Sequence, residues 1–305
     1  MADVIKKIIS GNDIRHGGAT TGVPGNPTHT ILPNIFGGAT VSEIENNLTN
    51  RFDDTDYYGT LFKPTIVSGC VVWAAADKET SFSDGDAVAT WTNQTVKSYD
   101  FSQPTAAKKP TYRTNIMNGK PALLFDGTDD YMSIVMGTEL SDLTDFTLMM
   151  VIKYVSLSAY VTPASFGPSV FSYPQLRMFQ LDNDSPVENI RTEGKDGSNV
   201  VVTLATDGDA IADTSYVMTF HNDADGSGVQ YKNMIESGSG TGYNNLSYKD
   251  GSYDIVESTI GAAHDPTNYA NIYLSEYVLY DRLLSLSEKS RIEKYLSKKY
   301  GVPMP

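Results

Sequence analysis

The chain has 305 residues, 40% of them hydrophobic, a formal net charge of −14 and a pI of about 4.6. That acidity argues against nucleic acid as a direct partner, because phosphate binding needs clustered Lys and Arg; it serves solubility instead. The one cysteine, Cys70, excludes an intrachain disulfide, and no apolar run approaches the roughly 20 residues that would insert into a bilayer.

The N-terminal stretch MADVIKKIISGND has too short an apolar run for a secretory signal, so synthesis in a cytoplasm is expected. Residues 11–40 then carry seven glycines and three prolines. Such a segment loses too much chain entropy on ordering to build its own core. It nevertheless carries spaced apolar residues, Ile14, Val23, Ile31, Leu32, Ile35 and Phe36, which a plain linker does not need. The expectation is an arm that orders on a partner. Thr40 to Glu43 has the capping-box pattern, and Ile44, Leu48 and Phe52 follow at helical spacing, predicting a short helix near 41–51. Residues 1–64 are therefore expected to form an anchoring segment, and 65–305 a separate domain.

From Pro64 the pattern changes to strands and turns. Strands are expected over Ile66–Ala75, Ala87–Trp91, Pro121–Phe125, from Tyr131, and over Phe146–Val155, Val200–Leu204, Tyr216–His221, Val229–Met234 and Asn271–Tyr280, with 92–117 irregular. Asn118-Gly119, Asp126-Gly127 and Asp223 to Gly226 read as turns, since these residues tolerate positive φ. In Tyr216–His221, Tyr216, Met218 and Phe220 point one way and Val217, Thr219 and His221 the other. The chain ends in a helix near 286–300, with a Ser285/Glu288 capping box, an apolar stripe of Ile292, Tyr295, Leu296 and Tyr300, and Gly301 placed to end it. Cys70, in an apolar run, reads as a small buried hydrophobe.

Several stretches together, CVVWAAADKET, GDAVATW, PTYRTNIMNGKPALLFDGTDDYM, DFTLMMVIKY and IYLSEYVLYDRLLSLSEKSRIEKYLSKKYGV, resemble the concanavalin A-like lectin/glucanase superfamily, and within it the laminin-G-like jelly-roll modules. The resemblance runs from about Ile66 to Val302. It is carried most specifically by Phe125-Asp126-Gly127 with Asp130-Tyr131, and by Glu276, Tyr280-Asp281-Arg282, Leu284-Ser285, Glu288 and Lys299-Tyr300-Gly301. It implies a mainly β fold: an antiparallel jelly-roll β-sandwich with an extended N-terminal arm and one C-terminal helix.

Function is not implied with the fold, because this architecture hosts enzymes, lectins and scaffolds alike. The Glu-x-Asp-x-x-Glu strand of the superfamily's glucanases does not occur here. The mid-strand Glu276, read as flanked on its face by Leu274 and Val278, suits a structural acceptor better than a catalyst. His16, His29, His221 and His264 form no triad or zinc pattern. The expectation is a protein that is not an enzyme, with no catalytic, cofactor-binding or metal residues. Ca2+ binding is the one cofactor option that the resemblance implies, through Asp126, Asp129 and Asp130 or through Asp223 and Asp225; the plainer reading of both is a turn. Tyr243, Tyr248 and Tyr253, in a Gly/Ser/Asn-rich region, offer stacking surfaces for a glycan. The arm fits best with a phage virion structural protein, a capsid decoration or tail-associated subunit. In that reading residues 1–64 grip other virion proteins, copies form a homo-oligomer, and the sandwich faces outward. The alternative is a lectin-like carbohydrate-binding module.

Overall fold

Apolar residues at every second position, cut by Gly- and Asp-rich turns, fold here into paired strands. A computed structural model describes residues 62–135, 145–157, 160–167, 175–181, 189–195, 201–207, 210–241, 257–263 and 266–305. The arm, the helix expected near 41–51, His16, His29, His264, Tyr243, Tyr248 and Tyr253 lie outside the described residues. The strands, in chain order, are β1 (Cys70–Ala75), β2 (Thr90–Trp91), β3 (Phe101–Ser102), β4 (Thr111–Met117), β5 (Lys120–Asp126), β6 (Met132–Val135), β7 (Phe146–Tyr154) and β8 (Ala164–Gly167). They continue with β9 (Gln175–Leu181), β10 (Ile190–Lys195), β11 (Val201–Asp207), β12 (Ser215–Asn222), β13 (Gly228–Lys232), β14 (Ile235–Gly240), β15 (Glu257–Ile260) and β16 (Asn271–Tyr280); one α-helix, α1 (Leu286–Tyr300), follows.

The strands pair antiparallel into two eight-stranded sheets. The first runs β14-β13-β12-β7-β16-β5-β4, with β1 also on β16; the second runs β11-β10-β9-β8-β15-β6-β3-β2. Their inner faces meet in one core, with Leu148, Met150, Phe220, Leu274 and Tyr277 from the first sheet and Trp91, Phe101, Ile134, Phe166, Met178 and Ile260 from the second. Each such side chain contributes about 1.5–3 kcal/mol by leaving water. The expected antiparallel sandwich with a C-terminal helix is what forms.

Several local expectations change. Gly69, at φ 84, lies so close to Asp281 that a Cβ would sit 2.6 Å from its Oδ1, so β1 begins only at Cys70. The stretch 92–117 is not irregular throughout: Pro104 and Pro110 lie between β3 and β4, leaving Thr111–Met117 free to pair with β5. Only Thr90–Trp91 of the expected Ala87–Trp91 strand pairs continuously. A register shift between Leu274 and Glu276 places a bulge in β16. The extra residue reverses the alternation, so Leu274 faces the core while Glu276 faces outward, and the two do not share a face as expected.

The outer face of the first sheet is closed by α1. Ser285 and Glu288 form the capping box, and Gly301 takes φ 67 as the helix ends. Arg282 holds Glu288 through two hydrogen bonds of 3.0 and 2.7 Å, which keep the Glu288 carboxyl down at about 2. Beneath the helix Glu276, fully buried, accepts from Trp73 Nε1 at 2.7 Å and Tyr295 Oη at 3.0 Å on one oxygen. On the other oxygen it accepts from Lys299 Nζ and Tyr300 Oη, both at 2.8 Å. Lys299 also donates to Asp77 at 2.7 Å. The chain comes into the sandwich beside this network: Phe62 packs on Tyr295 with ring centroids 5.4 Å apart, and Pro64 O accepts from Tyr280 Oη at 2.9 Å.

Candidate functional site

With α1 on the first sheet, the second sheet's outer face is the opposite side of the sandwich. Side chains one position from a core residue point outward, so the register of this sheet says which residues line up there. Thr90 pairs with Ser102, Ser102 with Ser133, Ser133 with Thr259 and Thr259 with Ser165. Ser165 then pairs with Arg177, Arg177 with Glu193 and Glu193 with Thr203. One residue from each of the eight strands thus forms a row, and every member is a hydroxyl or a charged group. Thr90, Ser102 and Thr203 are exposed, Ser133 and Arg177 half-buried, and Thr259, Ser165 and Glu193 buried.

The charged part of the row is an ion cluster. Glu193 lies 3.7 Å from Arg177 and 3.0 Å from Arg191. Gln180 faces Arg191 across the β9–β10 pair. Its Oε1, and Thr259 Oγ1 in the middle of the row, are buried without a hydrogen-bond partner. An orphaned buried acceptor or hydroxyl costs about 1–3 kcal/mol, a cost that an internal water would remove. Glu257, two residues before Thr259, is half-buried, and its burial raises the carboxyl above its ordinary value. The centre of the row is buried, and Ser165 Oγ donates to Ala262 O at 3.2 Å; the exposed hydroxyls of Thr90, Ser102 and Thr203 are the groups that suit a ligand with many hydroxyls.

Hydrolysis of a glycosidic bond needs two carboxyl groups about 5–9.5 Å apart. Glu193 and Glu257 are separated by three strand spacings, from β15 through β8 and β9 to β10, or about 14 Å at ~4.8 Å per strand. These two carboxylates do not make that pair.

The other candidates resolve as follows. Glu276 is spent on four hydrogen bonds, three of which dock α1. Asp126, Asp129 and Asp130 come together, with one carboxylate oxygen from each within 4.8 Å of the others. The donors are all oxygen, the kind a hard cation takes. Two are already engaged by the turn: Asp126 Oδ1 accepts from Thr128 N at 2.7 Å and Asp130 Oδ2 from Asp126 N at 3.1 Å. Burial, with Asp126 and Asp129 adding to it, pushes the Asp130 carboxyl up to about 6. Asp223 and Asp225 serve their own turn, accepting from Asp225 N and Ser227 N. Burial pushes the Cys70 thiol up to about 12, so it is not a nucleophile at neutral pH. His221 packs against Tyr231 at 5.4 Å, with Lys289 over the same ring at 3.7 Å.

Neither Arg177, Glu193 nor the row was singled out from sequence. The available signal was the alternation in QLRMFQL and IRTEGK, where Arg177 sits between Leu176 and Met178; what lines these residues up with Ser165 and Thr259 is pairing across distant strands.

No family model and no curated protein matches the chain. Among solved structures it is similar to the Trypanosoma rangeli sialidase in complex with the inhibitor DANA, at 13% identity and a TM-score of 0.49, over 83% of this chain and 38% of that one. It is also similar to domain 4 of AbnA, a GH43 extracellular arabinanase from Geobacillus stearothermophilus, in complex with arabinotriose. There the identity is 14% and the TM-score 0.48, over 72% of this chain and 95% of that domain. The chain spans well under half the length of the sialidase. What the strand pairing and core define is a mainly β protein, an antiparallel two-sheet sandwich sealed on one side by a helix.

Proposed function

We propose that this chain is a non-enzymatic binding module, tethered through residues 1–64, whose second sheet takes a carbohydrate along its outer face. The single observation that carries the proposal is the eight-strand polar row from Thr90 to Thr203. It lies on the side of the sandwich away from α1, and its exposed members Thr90, Ser102 and Thr203 offer hydroxyls there. The concanavalin A-like, laminin-G-like resemblance belongs to the same proposal, as does a virion setting in which residues 1–64 grip another virion protein.

A glycan array probed with the full-length protein tests the binding reading. Binding to a polar glycan class without release of reducing ends is expected, and Thr203→Arg, at one end of the row, or Ser102→Arg, next to the other, should abolish it. Glycan hydrolysis, or binding unaffected by both substitutions, overturns the proposal. Mass spectrometry of purified particles tests the setting: the chain is expected among the virion proteins, and its absence at normal expression removes that part.

A further inference from the structure

The β4–β5 hairpin turns through Asn118 and Gly119, at φ 48 and 74, between the paired residues Met117 and Lys120. Both turn residues are exposed, and they form the chain's single Asn-Gly dipeptide. The Asn118 side chain also works at a distance: its Nδ2 donates to the carbonyl of Lys299, in the last turn of α1, at 3.2 Å. Gly301, just past the helix, lies against it so closely that a Cβ there would be 3.1 Å from Asn118 Cβ and Cγ.

From this geometry we propose that Asn118 is a modification site: its amide is converted by water to a carboxylate, and the conversion releases the end of α1. The glycine that follows has no side chain to shield its backbone nitrogen. That nitrogen loses its proton and attacks Asn118 Cγ. The new N–Cγ bond forms as the Cγ–Nδ2 bond breaks, and ammonia leaves. Water then opens the cyclic imide at either carbonyl, giving aspartate or isoaspartate. Neither product can donate to Lys299 O. Each sets a negative charge against the carbonyl end of the helix, where the dipole disfavours it, and isoaspartate adds a backbone atom to a two-residue turn whose length sets the register.

The test incubates the full-length protein at mildly alkaline pH and follows the peptide containing Asn118 by mass spectrometry, with hydrogen exchange of α1 read on the same samples. Asn118 is expected to convert before any other described asparagine. The converted fraction should exchange the amides of the last helical turn roughly fivefold faster or more, the factor that corresponds to one lost hydrogen bond. Asn118→Asp should show the fast exchange from the start. Asn118→Gly, which tolerates the turn but cannot convert, should show exchange that does not change with time. Earlier conversion of another described asparagine, or helix exchange that stays the same in converted wild type, overturns the proposal. If Asn118→Asp does not fold, aged wild type carries the test alone.

Discussion

Three titratable residues, the buried Glu276 and Asp130 and the half-buried His221, report how this sandwich is held. Glu276 is satisfied by four donors; removing it leaves Trp73, Tyr295 and Tyr300 without their buried acceptor and Lys299 with Asp77 alone, and breaking such a buried ionic network typically costs ~3–5 kcal/mol. Glu276→Ala is therefore expected to lower unfolding stability by about that much in chemical denaturation, with no loss of glycan binding in the fraction that stays folded. His221 tests the other half of the helix dock. Burial, and then Lys289, pull its imidazole down to about 4 from the ordinary 6.5. The neutral ring's contribution is thus fully present above pH 6.5 and is lost as pH falls toward 4. The expected size is ~1–3 kcal/mol, and His221→Phe should flatten stability against pH across that window. Asp130 has the opposite sign. Its carboxyl is raised to about 6, so its favourable contribution belongs to acid pH and is lost as pH rises through 6. Asp130→Asn should then raise stability at neutral pH by ~1–2 kcal/mol, measured as an upward shift in the urea midpoint.

At the scale of elements, α1 is where sequence and structure agree most closely. Its capping box, apolar stripe and Gly301 are local signals, and all three appear as read. The C-terminal residues on which the sequence resemblance rests turn out to form this dock: Glu276 with Lys299 and Tyr300, Tyr280 with Pro64, and Arg282 with Glu288. Gly301→Ala forces a Cβ into the left-handed region and against Asn118, and should cost about 1 kcal/mol. The two turns flanking β5 and the long strands β7 and β16 were also legible, because each has its own apolar run and its own stop. Strands β3, β4, β8, β9, β10, β14 and β15 were not anticipated. β3, β8 and β15 are four residues or fewer, and β14, with the sequence IESGSG, carries almost no apolar signal. Its place is set by pairing with β13. The bulge at Leu274–Glu276 was equally hidden, since only the register against β7 reveals the added residue. The binding face was illegible for the same reason: Ser165, Thr259, Arg177 and Glu193 are neighbours only once strands far apart in sequence have paired.

The sandwich of residues 62–305 has two unlike sides. One outer face is apolar and ionic and sealed by α1; the other carries a polar row from edge to edge. The proposed function rests on that difference. The most direct measurement is glycan binding by the full-length protein, compared with Thr203→Arg and Ser102→Arg on the polar face and with Gly301→Ala on the helix side. Loss of binding in the first two, with binding kept in the third and no glycan cleaved, is the predicted result. Binding that survives both arginine substitutions, or that fails only when the helix side is changed, would contradict the assignment of the second sheet as the binding face.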